Sequence, residues 1–173
     1  MISTEWLSIL LQSKNFKQLS FVFGVIFLVI SIFLVVDPKP FLKFGYFGVF
    51  LFNLFGPGTL LIPSLSQYMD VYLLAFASAL GMLLNDSVSW IVGKNSDVFI
   101  PRSKKVEMVE KTIHKYGILA LFTWSLIPIP YDVVGFIAGY LGFPYKNFVL
   151  PTFFGKFIRF ILMGMGLLIL MRQ

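Results

Sequence analysis

The chain has 173 residues, 58% of them hydrophobic, with 21 Phe, 13% charged residues and a mean hydropathy of +0.87. That composition excludes an ordinary soluble domain and points to one membrane domain with no room for a separate soluble one. The net charge of +6 does not indicate nucleic acid as a partner, because Lys and Arg cluster beside apolar segments instead of alternating with exposed aromatics. Zero Cys and one His exclude disulfides, thiolate ligands and a multi-histidine metal centre within one chain, so neither metal nor cofactor is expected.

Residues 1–19 predict an amphipathic helix on the membrane surface, with Trp6, Leu7, Leu10 and Leu11 on one side and Lys14 and Lys17 beyond them. Ser20 to Val36 predicts a retained transmembrane helix, not a signal peptide, since its leader is long and DPKP follows in place of a small-residue cleavage pattern. At ~1.5 Å per residue it is a minimal span, extended by snorkelling of Lys14, Lys17 and Lys39. Residues 44–67 are apolar but interrupted by Gly56, Pro57 and Gly58, with Pro63 just after. Two short helical arms, a first re-entrant hairpin, fit that stretch better than one span.

Residues 71–92 predict a full span that contains Asn85 and Asp86. The following segment is basic, with Lys94, Arg102, Lys104, Lys105, Lys111 and Lys115 against Asp97, Glu107 and Glu110. Val106, Val109, Ile113 and Tyr116 recur at helical spacing, Glu107 precedes Lys111 by one turn, and Pro101 suits a helix start. An interfacial helix over 98–115 on the cytoplasmic side is expected from the positive-inside rule. Residues 116–142 form a second interrupted apolar stretch, broken at Pro128 and Pro130 and predicted as a second re-entrant hairpin. Residues 147–171 predict a last span carrying Lys156 and Arg159.

From a cytoplasmic N-terminus, the first helix goes out and the first hairpin dips in and returns. The span 71–92 then delivers residues 93–115 to the cytoplasm, whereas a full crossing by 44–67 would strand the basic loop outside. FGYFGVFLF (44–52) is echoed faintly by KYGILALF (115–122), and each copy leads to a Pro/Gly break and then a full span. Because the copies enter from opposite sides, the expected fold is an all-α membrane protein built as an inverted repeat. Each repeat is a re-entrant helical hairpin plus a transmembrane helix, with an extra N-terminal transmembrane helix and interfacial helices. In such folds the substrate site lies near the midplane.

Non-helical backbone at membrane depth is tolerated only where protein or water surrounds it. The breaks should therefore face inward, with Gly135 and Gly139 supplying a small-residue face and Asp132 capping the returning arm. Asp86, Asp132, Lys156 and Arg159 fall inside membrane segments, each at a cost of about 2.5 to 3.5 kcal/mol, and should be paired or line a wet cavity. Lys156 and Arg159 share a helix face. The expectation is a polar centre in which Asp86 and Asp132, with Asn85 nearby, meet Lys156 and Arg159 and accommodate a phosphate or exchange a proton. Plainer roles stand beside it: a helix cap for Asp132, interfacial solvation for Asp86, snorkelling for the two cations, a surface position for His114 and a helix bridge for Asn53.

These residues resemble the VTT-domain (SNARE-associated, DedA-like) superfamily, especially its YqaA-like branch. The resemblance runs from about Phe44 to Phe160. It rests on Asp86, Trp90, Gly93 and Lys94, on Pro128, Pro130 and Asp132 at the second break, and on Ala138-Gly139 and Gly155-Lys156. Arginines that the DedA branch carries around the second break are missing between Trp124 and Asp132, and Gly56-Pro57-Gly58 stands where that branch has an acidic residue. The resemblance implies two opposed re-entrant hairpins in a small bundle, and the expectation is a multi-pass cell-membrane protein that is not an enzyme. It further implies movement of membrane lipids or lipid-linked phosphates, scramblase- or flippase-like, as the partners handled, with a homo-oligomer left open. Alternatives are export of small cations, a non-transporting assembly factor, and an intramembrane aspartyl protease, whose carboxylates would have to nearly touch.

Overall fold

Hydrocarbon offers no partner to a free peptide group, so apolar stretches of this composition must close their hydrogen bonds internally, and helices do so. The computed structural model describes residues 37–55, 58–95, 104–127 and 131–170, together with positions 22, 25–26, 29–30 and 32–34. The expected surface helix over 1–19 lies outside the described residues, as do Gly56, Pro57, Pro128 and Pro130 at the centres of the two breaks. All regular structure among the described residues is helical.

The described positions between 22 and 34 are helical and mostly exposed, with Leu34 turned into the core. A one-turn helix α1 (Lys39–Leu42) follows Pro38. Helix α2 (Gly45–Phe55) ends at the first break, after which a 3-10 turn (Gly58–Leu60) runs into the short α3 (Leu61–Leu65), which contains Pro63. Helix α4 (Val71–Lys94) is capped by Asp70, whose carboxylate accepts from the amides of Tyr72 and Leu73 at 3.0 Å each. Then come α5 (Lys104–Tyr116), α6 (Ile118–Leu126), α7 (Asp132–Tyr140) and α8 (Tyr145–Leu170), the last with Pro151 in its interior. Val71–Lys94 and Tyr145–Gly166 are long and apolar enough to cross a membrane.

Helix α4 is the hub: α2, α7 and α8 all pack on it, while α6 and α3 lie on α8 and α5 rests on α6 and α7. Glycines set the closest approaches. A Cβ at Gly81 would overlap the Phe50 carbonyl, one at Gly93 the Phe136 carbonyl, one at Gly139 the Trp90 carbonyl and one at Gly155 the Ser125 hydroxyl. Lipid tails are as apolar as leucine, so close backbone contact of this kind takes over much of the role that burial from water plays in soluble cores. Gly45 (φ 56°) and Gly117 (φ 54°) start α2 and α6 in the left-handed region that only glycine enters cheaply.

Two apolar clusters result, one around Leu61, Leu65, Leu74 and Phe160, the other around Trp90, Val109, Leu121, Ile137 and Phe148. Phe47, Phe76, Val88, Leu119, Leu150 and Leu162 point outward, as lipid-facing side chains do. In α5, Val109 and Ile113 are buried and Val106 is half-buried, as the spacing predicts, but Tyr116 is exposed. Glu107 pairs with Lys111 at 2.8 Å, and its hydrogen bond and charge hold the Lys111 ammonium above its ordinary range.

Candidate functional site

Helix α4 delivers Asp86 and α8 delivers Lys156 to a shared position in the interior. The Lys156 Nζ lies 2.8 Å from the Asp86 Oδ2, and the two residues are 2% and 3% exposed. A buried ion pair needs further contacts to offset its desolvation. Here the Lys156 ammonium also sits 4.8 Å above the ring of Tyr131. That ring is fixed in turn, since the Tyr131 hydroxyl lies 2.8 Å from Thr152 Oγ1 and donates to the Leu121 carbonyl at 3.2 Å.

One turn along α8, Arg159 is 7% exposed and does not snorkel. Its Nη1 donates to the carbonyl of Ile127 at 3.1 Å, next to the second break, and its Nη2 to Thr59 Oγ1 at 3.4 Å, next to the first. One guanidinium thus ties the two interrupted segments together. No carboxylate pairs with it among the described residues, and its Nε is buried without a hydrogen-bond partner. The Met82 sulfur lies within 3.6 to 3.8 Å of Thr59 Oγ1, Lys156 Nζ and Arg159 Nη2.

Beside the first break, Asn53 is fully buried; its Nδ2 donates to the Val49 carbonyl at 2.9 Å and to Ser78 Oγ at 3.4 Å, while its Oδ1 has no hydrogen-bond partner among the described residues. Gly58 is buried against that side chain, and a Cβ there would overlap it. Pro63 is half-buried within α3, and its carbonyl accepts from Ser66 Oγ at 2.7 Å.

Asp132 differs from the expectation. It is the first residue of α7, not its cap, and makes no capping bond. Its exposed carboxylate accepts from Ser89 Oγ at 3.3 Å and borders an apolar groove of about 330 Å³ lined by Val88, Val92, Val133 and Phe136. The reason is the glycine seam. Close approach of α7 to α4 through Gly135 and Gly139 sets Asp132 at the rim beside Ser89, and Tyr131, one residue earlier, takes the inward position under Lys156. Asn85 is half-buried on α4.

The structure therefore brings Asp86, Lys156 and Arg159 together and sets Asp132 at the rim of this centre, beside Ser89. Sequence reading missed Tyr131, Thr59, Thr152 and Met82. Two of these had a signal in their position, Thr59 directly after Gly58 and Tyr131 directly before Asp132. Chemically, the centre holds two cations against one carboxylate, with donors left over, and can receive an anion. Among the described residues no group of three or more His, Cys, Asp or Glu is placed to hold a metal ion.

The family model for the VTT domain matches residues 18–167, most of the chain. The chain belongs to the VTT domain family. Asp86, Lys156, Arg159 and both interrupted segments all lie inside the matched part of this VTT domain. An uncharacterized protein of Methanocaldococcus jannaschii is 24% identical over 127 residues, covering 67% of this chain and 79% of its own. No solved structure matches. Family and helices together make this VTT domain a membrane protein.

Proposed function

We propose that this chain, a VTT domain of the YqaA-like branch, is a multi-pass transporter and not an enzyme, moving lipids or lipid-linked phosphates across the bilayer. The observation that carries this reading is Arg159. A buried guanidinium with no carboxylate partner among the described residues costs several kcal/mol, and its place beside both breaks makes the cost intelligible if an anionic headgroup passes there. The DedA branch has arginines near the second break; here Arg159 reaches the Ile127 carbonyl from α8 instead.

The re-entrant inverted repeat belongs to the same proposal. Gly45 corresponds to Gly117, Asn53 to Ser125, and Val71 to Tyr145, each pair at the same place in its half. Gly81 packs against Asn53 as Gly155 packs against Ser125. The first arms α2 and α6 each lie on the long helix that follows in their own half, whereas α7 and α3 each lie on the long helix of the other half. In this reading the N-terminus and residues 93–115 face the cytoplasm.

The test is reconstitution into liposomes with fluorescent anionic and zwitterionic lipids. Transbilayer movement that Arg159→Gln abolishes is the expected result. No movement of any lipid, or equal movement in Arg159→Gln, refutes it.

A second reading, export of lipophilic cations, has Asp132 behind it, since its exposed carboxylate, bonded to Ser89, borders the apolar α4–α7 groove. The same liposomes loaded with a fluorescent cation test that reading through Asp132→Asn. A proton-sharing aspartyl dyad is disfavoured because Asp86 pairs with Lys156 while Asp132 binds Ser89.

A further inference from the structure

Three hydrogen-bond donors converge on one poor acceptor in the centre of this protein. Thr59 Oγ1 lies 3.6 Å from the Met82 Sδ, Lys156 Nζ 3.8 Å and Arg159 Nη2 3.8 Å. A thioether is a weak acceptor, so two charged donors and a hydroxyl, largely removed from water, gain little from it. The Arg159 Nε, on the same guanidinium, has no hydrogen-bond partner among the described residues. Three donor groups are thus gathered around a sulfur that accepts poorly, and the one better acceptor among them, Thr59 Oγ1, takes a single long bond from Arg159 Nη2.

An oxyanion of phosphate type is the chemical complement of such a set. It offers several oxygens, each with lone pairs for charge-assisted bonds, and guanidinium and ammonium are the groups that bind it best. Carboxylate chemistry is already represented by Asp86, whose single ion-pair contact to Lys156 Nζ does not exhaust an ammonium with three donors. Exposure adds a second observation. Lys156 and Arg159 are 2% and 7% exposed, but Met82, which touches both, is only half-buried and reaches the surface. Methionine, unbranched with three rotatable bonds, is the apolar side chain best able to leave and return without backbone movement.

We propose that Met82 is the displaceable occupant of an oxyanion subsite formed by Thr59, Lys156 and Arg159: the thioether holds the donors together when the site is empty and swings aside when a phosphate group enters. This rests on the transport reading above and deepens it, since it assigns the headgroup position and the side chain that guards it. Met82 is a positioning and gating residue that makes no charged contact of its own with the ligand.

Two substitutions at this position separate gating from a packing role, because they move binding in opposite directions. In Met82→Gln a carbonyl oxygen takes the place of the sulfur on a side chain of similar reach and satisfies the same donors. The oxyanion must then compete with it, and affinity falls about tenfold or more. In Met82→Ala the occupant is gone and affinity rises, by about threefold or more. The measurement is calorimetric titration of the full chain in detergent micelles with inorganic phosphate and, separately, with dioctanoyl phosphatidic acid. Binding of inorganic phosphate assigns the subsite to the free oxyanion, and binding of the lipid alone assigns it to a headgroup held with its chains. Both count as support only with the two Met82 variants moving oppositely and Thr59→Val weakening binding. If wild type binds neither probe, this proposal fails together with the transport reading. If wild type binds and Arg159→Gln does not, while both Met82 variants shift affinity the same way or not at all, the gate alone is refuted.

Discussion

The ammonium of Lys156 lies 2.8 Å from the carboxylate of Asp86, with both residues almost fully buried and each on a different long helix. Removing one partner leaves an uncompensated buried charge, at a cost of about 3 to 5 kcal/mol. Asp86→Leu is expected to unfold at correspondingly lower denaturant, and Asp86→Leu with Lys156→Met to recover most of the loss. Equilibrium unfolding in detergent checks this, and a double variant as unstable as the single would show that the pair is not the coupled unit.

A methyl group tests the α4–α7 seam. Gly139→Ala places a Cβ on the Trp90 carbonyl oxygen, which is backbone and has nowhere to go, so a loss of about 1 to 3 kcal/mol is expected. Gly166→Ala in α8 meets nothing within 4 Å and should be neutral or stabilising, by up to about 1 kcal/mol from helix propensity. Thermal unfolding of the two proteins side by side gives the comparison.

Tyr131 and Thr152 share a hydrogen bond in the interior, and Tyr131→Phe is expected to cost about 0.5 to 1.5 kcal/mol. Thr152→Val should cost a similar amount, and the double variant less than the sum, since both singles remove the same bond. Strict additivity in a double-mutant cycle would contradict this.

Because the chain has no cysteine, topology can be read with a single introduced thiol. Lys111 is exposed on α5, and Lys111→Cys should react with a membrane-impermeant maleimide only when the cytoplasmic face is opened. Labelling in intact cells would invert the proposed orientation.

Asp132 is exposed, with one long hydrogen bond to Ser89. Asp132→Asn should therefore change stability by less than about 0.5 kcal/mol. Against that background, any transport defect in this variant is a defect of the pathway and not of the fold.

Much of this arrangement was legible from residue types. The order of helices followed from where apolar runs stop and where Pro and Gly fall, and the inward position of Asp86, Lys156 and Arg159 followed from the cost of charge in lipid. The rotation of a short helix after a break was not legible. Whether Tyr131 or Asp132 faces the centre depends on how closely α7 approaches α4, and that distance is set by Gly93 and Gly139 meeting backbone carbonyls on the opposite helix. Met82 was passed over for a different reason. Counted as an apolar residue, it carries no hint in sequence that three donors will surround its sulfur.

The exchange of second arms, α7 onto α4 and α3 onto α8, also governs how the protein is made. Neither α4 nor α7 is expected to hold its place alone, since α4 without α7 would expose the notch at Gly93 that the Phe136 backbone fills. Asp86 precedes Lys156 in the chain, so an α4 that enters the bilayer as it is made does so before its partner exists. The nascent chain must therefore hold an unpaired carboxylate, protonated or solvated through a local defect, until α8 arrives. The last helix is what locks the assembly, and a truncation before Lys156 should yield an insertion intermediate prone to degradation instead of a smaller stable protein.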